Sequence, residues 1–269
     1  MKTSILLSAI LALGILPSIA FAQAPDGAKE KPKRTLRLLV AGVRPMPVFE
    51  QHGDKIVEVD PPPEIIPPTS LELLGGDKPG DGTKAQPNKF SAWPNELAMV
   101  PGYKGGAQIR LRLLRPLLAK APTPPELTCD LAEMLSPLIL LNADPGQEGW
   151  QKPIATVVDL SAEKLPARSV LLVNLSPIPL KARFEETIVE LRGKETKSLK
   201  LAAEEPADIR FRIDAVASDS SYPIVNSTYQ VPADSRLIVL AIPNPRGAQG
   251  AAPVSLKMLV DPVPAAVAP

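Results

Sequence analysis

The chain has 269 residues, with 30 basic and 29 acidic side chains, one histidine and one cysteine. Such balance excludes the basic surface that displaces counterions from nucleic acid. A lone cysteine excludes an internal disulfide, and with a single histidine it excludes the usual zinc ligand sets. The 33 prolines are more than twice the roughly 5% of ordinary chains, and because each lacks a backbone donor they favour many short strands over long helices.

The first residues run from Lys2 through an apolar stretch, Ile5 to Ala20, to Ala20-Phe21-Ala22. That basic, apolar, small-residue order predicts a signal peptide over 1–22, cleaved after Ala22. A membrane anchor is the other reading of this stretch, but it is shorter than the roughly 20 residues a spanning helix needs. No later segment is long and apolar enough to span a bilayer. Removing 1–22 takes away Lys2 and no acid, leaving 29 basic against 29 acidic groups (30 − 1 = 29). The expected location is the periplasm or the exterior. Residues 23–34, with Lys29, Lys31, Lys33 and Arg34, read as a disordered, solvated leader.

From Leu36 onward short apolar segments alternate with loops: Leu36 to Val43, Lys55 to Val59, Ser70 to Leu74, Gln108 to Leu114, Leu138 to Leu141 and Ile154 to Leu160. A second series begins at Ser169 to Leu175 and ends at Val254 to Val260. In Ile109-Arg110-Leu111-Arg112-Leu113 and in Ile209-Arg210-Phe211-Arg212-Ile213 apolar and basic residues alternate, which is the period of a half-buried strand. Local helix is conceivable only over Glu126 to Leu135, and over Glu185 to Glu205 if Gly193 did not suggest a hairpin turn.

The two halves also resemble each other. A shift of 132 sets Pro45-Met46-Pro47-Val48 on Pro177-Ile178-Pro179-Leu180 and Ile56 to Val59 on Ile188 to Leu191. A shift of 128 sets Ser70 to Leu73 on Ser198 to Leu201, 100 aligns the two Ile-Arg-x-Arg strands, and 99 sets Ser136 to Leu141 on Ser235 to Leu240. The expected fold is all-β, two tandem immunoglobulin-like antiparallel β-sandwich modules, at 35–160 and 168–262, followed by a disordered tail at 263–269. The first module carries an extra Gly/Pro/Lys-rich stretch at about 75–106, which holds Phe90, Trp93 and Tyr103. Aromatic residues in such a loop either anchor it to its own domain or form a ligand platform.

Little in the chain points to catalysis. His52, in the expected turn Gln51-His52-Gly53-Asp54, reads as a solvated loop residue rather than a general base. Cys129 reads as a small buried side chain. Ser161-Ala162-Glu163-Lys164 has Ser-x-x-Lys spacing, but the companion Lys-Thr-Gly element is missing. Asp77 and Asp81 do not follow the calcium-loop pattern. Asn226-Ser227-Thr228 is a glycosylation acceptor only in a host that modifies such sites. No catalytic residue, metal site or cofactor is therefore expected.

Ser169-Val170-Leu171-Leu172-Val173-Asn174-Leu175-Ser176-Pro177, the return through Ile188 to Leu191, and Leu237 to Leu240 resemble exported tandem β-sandwich proteins of environmental Gram-negative bacteria. The resemblance is clearest over about the last hundred residues. It implies an exported sandwich and brings no activity or site. The residues point to a non-enzymatic protein that binds an envelope or extracellular protein or has a structural role at the envelope. The alternatives are a carbohydrate-binding module acting on polysaccharide through Phe90, Trp93 and Tyr103, or a hydrolase using Ser161 and Lys164.

Overall fold

The computed structural model describes residues 34–62, 64–74, 88–114, 124–144, 149–201, 207–217, 220–244 and 253–263. The expected signal peptide, nearly all of the leader, the loop 75–87 with Asp77 and Asp81, and tail residues 264–269 lie outside these residues. All regular structure among the described residues is strand.

The first half contains β1 (Arg37–Ala41), β2 (Val48–His52), β3 (Lys55–Val59), β4 (Ser70–Leu73), β5 (Asn88–Ser91), β6 (Ala98–Met99), β7 (Gln108–Leu114), β8 (Glu126–Asp130), β9 (Pro137–Ala143) and β10 (Pro153–Asp159). The second half contains β11 (Ser169–Asn174), β12 (Leu180–Phe184), β13 (Thr187–Leu191), β14 (Thr196–Lys200), β15 (Ala207–Ala217), β16 (Ser220–Val231), β17 (Ser235–Pro243) and β18 (Val254–Pro262).

Each half is a sandwich of two four-stranded sheets. The first half has orders β10-β9-β1-β6 and β5-β4-β7-β8, and the second has β18-β17-β11-β14 and β13-β12-β15-β16. Strand for strand these are the same fold: β1 takes the place of β11, β4 of β12, β5 of β13, β6 of β14, and β7 to β10 of β15 to β18. Pairing is antiparallel except between the first strand of each sandwich and its seventh, β1 with β9 and β11 with β17.

The topology corrects the sequence comparison at several points. The shift of 100 is right for β7 and β15: Ile109 pairs with Cys129 as Ile209 pairs with Tyr229. For β9 and β17 the equivalent shift is 98, because Ile139 lies beside Leu38 where Leu237 lies beside Val170. Sliding by one residue to 99 exchanges the faces of a strand. Indeed, Ile139 belongs to its own module's core, whereas Ile238 belongs to the layer between modules. The 132 and 128 matches set β2 on β12, β3 on β13 and β4 on β14, but the counterpart of β12 is β4 and that of β14 is β6. β2 and β3 form a separate two-stranded sheet with no counterpart. The extra element of the first module is therefore this hairpin, while the expected insertion at 75–106 supplies β5 and β6, which the second module also has.

Both places considered for helix are extended. Glu126 to Asp130 pairs with β7, and β13 and β14 occupy 187–200. Gly193 does mark a turn, but the chain there crosses between sheets instead of forming a hairpin, since β13 pairs with β12 and β14 with β11. A side chain at Gly193 would put its Cβ 2.5 Å from the Pro177 carbonyl oxygen, so the crossing needs glycine there.

The apolar pattern explains the stacking. Leu38, Val40, Ile139 and Leu141 point into the first core, and Val170, Leu172, Leu237 and Val239 into the second. The alternate residues Leu39, Ala41, Leu138 and Leu140 meet Leu171, Val173, Ile238 and Leu240 in a third apolar layer. Two sandwiches thus stack through their β1/β9 and β11/β17 sheets. Strands buried on both faces read as continuous apolar runs, whereas half-buried β7 and β15 alternate.

A buried polar cluster joins the modules at one end of that layer. Arg236, fully buried, donates from Nε to Asp261 Oδ2 at 2.7 Å and from Nη1 to the Leu165 carbonyl at 2.6 Å. Arg37 of the first module donates to the other oxygen of Asp261 and, at 3.2 Å, to Ser136 Oγ. Asp159 accepts from the backbone N–H groups of Ser136 (3.1 Å) and Ser161 (2.9 Å). Burial pushes the Arg236 guanidinium below its ordinary pKa, an effect opposed by Asp261.

Candidate interaction surface

The hairpin β2–β3 emerges where the two modules differ most. In the second module the chain passes from β11 to β12 through a closed turn at 175–179. Asn174 fixes it: its Nδ2 donates to the carbonyls of Ile178 (2.7 Å) and Arg192 (2.9 Å), and its Oδ1 accepts from Ser176 Oγ at 2.7 Å. At the equivalent point of the first module stands Gly42, 132 residues earlier, and there the chain leaves the sandwich.

The base of the hairpin is tied down by neighbours outside it. Asn95 Oδ1 accepts from Gly42 N at 3.2 Å and Asn95 Nδ2 donates to Gly42 O at 2.8 Å. The returning chain is caught where Trp150 N donates to Glu64 O at 2.7 Å. A Cβ at Gly42 would lie 2.8 Å from the buried Trp150 ring and 2.9 Å from Pro67, and one at Gly149 would lie 2.2 Å from Glu64 O. Gly149 also has φ +67, a backbone conformation that L side chains rarely adopt. Pro45 and Pro47 before β2, and Pro61 and Pro62 after β3, fix φ on both approaches.

Beyond this base the register runs Val48–Val59, Phe49–Glu58, Glu50–Val57, Gln51–Ile56, His52–Lys55. A two-residue turn closes it, with Gly53 at φ +66 and Asp54 without positive φ, as a type II′ connection requires. The expected turn at 51–54 is thus confined to Gly53 and Asp54, and His52 ends a strand. His52 is exposed, with Nε2 3.3 Å from Glu50 Oε2.

The hairpin buries little of its apolar surface. Phe49 is 69% exposed, Ile56 76% and Met46 84%, with Val48 and Val57 exposed as well. Phe49 and Ile56 share one face, flanked by Glu58; Val48, Val57 and Val59 share the other. Soluble proteins rarely leave such groups together in water, and a lone two-stranded ribbon is marginal. Among the described residues nothing pairs with either outer edge of the ribbon, so its backbone donors and acceptors face outward on each side.

The aromatic residues expected to form a site divide between two roles. Phe90, in β5 opposite Leu71, packs against the first core. So does Tyr103, whose hydroxyl donates to the Gly106 carbonyl at 2.8 Å. Trp93 stays 63% exposed, next to the Pro94 that bridges to Val40 at the end of β1. Ser161 is buried and its hydroxyl donates to Asp159 Oδ2 at 3.1 Å, while Lys164 is exposed. Cys129 is buried in β8, and burial pushes its thiol up to about 11. Asn226 sits on β16, exposed. Among the described residues no three His, Cys, Asp or Glu side chains gather where a metal would be held.

β3 coincides with the predicted segment Lys55 to Val59, whereas β2, and with it the hairpin, has no counterpart among the predicted segments. A usable signal was present in the Gly53-Asp54 turn between two β-prone runs and in the prolines bracketing them. No protein family matches the chain, and no curated protein matches it either.

Proposed function

We propose that this is an exported, non-enzymatic binding protein of the cell envelope, in which the stacked sandwiches hold out the β2–β3 hairpin as the contact element for a partner protein. The order of residues 1–22 and the resemblance to exported tandem sandwiches support export. The observation that carries the binding role is the exposed apolar ribbon: an apolar face held out into solvent on a pinned base is the form of a protein contact, not of a surface loop. The second module, with the same eight strands and no ribbon, serves as the internal comparison.

The test replaces 46–61 with a short turn copied from 175–179 and compares the mature variant with the mature native protein in pull-downs from the envelope fraction. The expected result is one reproducible partner, retained by the native protein and lost from the variant. Retention by both forms moves the contact to the sandwich surfaces and overturns the assignment to the hairpin. A polysaccharide reading rests chiefly on Trp93, the exposed one of the three, since Phe90 and Tyr103 are half-buried against the first core.

A further inference from the structure

We infer that the outer edge of β2 takes up an extended segment of the partner as a third strand, one with basic side chains on one face and apolar side chains on the other. The inference rests on the binding role just proposed and specifies its chemistry. Three observations carry it. First, among the described residues β2 pairs on one side only, with β3, so its second edge presents backbone groups spaced to continue a ladder. Second, alternation along β2 gives that edge two chemically different faces: Phe49 with Gln51 on one, Val48, Glu50 and His52 on the other. A strand laid alongside places alternate side chains next to Phe49 and next to Glu50.

Third, the charge selects the partner. Residues 48–60 hold the acids Glu50, Asp54, Glu58 and Asp60 against the single base Lys55, a net charge of −3 (1 − 4) with His52 neutral; Glu50 is the charged side chain on β2 itself, while Glu58, across from Phe49, and Lys55, across from His52, stand on β3, the strand away from this edge. Opposite charges across neighbouring strands stabilise pairing and like charges oppose it. A basic-apolar strand therefore fits. A second copy is disfavoured at this edge, because antiparallel pairing about a twofold centred on Glu50 sets Glu50 against Glu50.

The test uses a labelled peptide, acetyl-Lys-Ile-Lys-Ile-Lys-Ile-Lys-amide, with fluorescence anisotropy on the mature protein. Controls are the same peptide with Glu for Lys, and the Lys peptide N-methylated at alternate residues, which keeps charge and apolarity but removes ladder donors. Binding at least about tenfold weaker for each control, and for Glu50→Lys and Phe49→Ser in the protein, is the expected result. Both substitutions are solvent-exposed, and far-UV circular dichroism with a thermal melt checks that the fold is intact. Equal binding of the N-methylated peptide overturns strand addition, and equal binding of the Glu peptide overturns the charge assignment. Concentration-dependent self-association in sedimentation that Glu50→Lys or Phe49→Ser abolishes makes a second copy the occupant and overturns the inference. If the hairpin retains an envelope partner while the Lys-Ile peptide fails to bind, this inference fails and the binding role stands. Retention of the partner by both forms in the pull-down overturns the assignment of binding to the hairpin, on which this inference rests.

Discussion

At Asp261 one buried carboxylate serves two guanidiniums, Arg236 from its own module and Arg37 from the other. Removing a partner from a buried pair leaves an uncompensated charge and costs about 3–5 kcal/mol. Asp261→Asn is expected to lower the urea midpoint accordingly, and adding Arg236→Met to it to recover part of the loss, because the fully buried charge is then gone. Cys129 gives a pH signature of known sign. Its thiol rises from an ordinary 9.0 to about 11 in the fold, so on raising the pH the unfolded chain ionises first. The contribution is whole below about 9 and is lost as the pH climbs towards 11, by roughly 2–3 kcal/mol. Melting curves of the native protein and Cys129→Ala at pH 8 and pH 10.5 check this: the native protein is expected to lose more. The burial of Cys129 was legible in the sequence, whereas the Asp261 cluster was not. Its members are separated by up to 224 residues, and no local pattern announces which charges a fold will bury together.

At the scale of elements, the hairpin is the part least needed by the fold. Its side chains enter none of the three apolar clusters, so excising 46–61 is expected to shift the melting temperature by no more than about 3 °C, whereas a core truncation such as Leu141→Ala costs about 2–5 kcal/mol. The base behaves differently. Gly149→Ala forces a Cβ against the Glu64 carbonyl at a positive φ and is expected to destabilise by about 2 kcal/mol. It is also expected to make the Glu64 region more accessible to limited proteolysis. Half-buried strands were the most legible elements, since alternation in Ile109 to Leu113 sets face and register together. In Leu138 to Leu141 every residue is apolar and buried. Nothing in such a run distinguishes one face from the other, which is why the match to β17 slipped by one residue.

At the scale of the molecule, the layer containing Leu39, Leu140, Leu171 and Ile238 joins the two sandwiches through a shared apolar cluster. Full-length protein is expected to unfold in a single transition, and residues 168–269 expressed alone to bind a hydrophobic dye and aggregate, since their half of this layer would face water. The all-β tandem architecture was readable from short apolar segments and prolines. The stacking was not, because a strand apolar on both faces looks the same whether its second face meets a neighbouring module or another chain. The proposed role is that this stack holds out the β2–β3 hairpin to a partner. It is tested most directly by the envelope pull-down with native and hairpin-excised protein: the account predicts a partner lost with residues 46–61 while the melting temperature is kept, and a partner retained by both forms would contradict it.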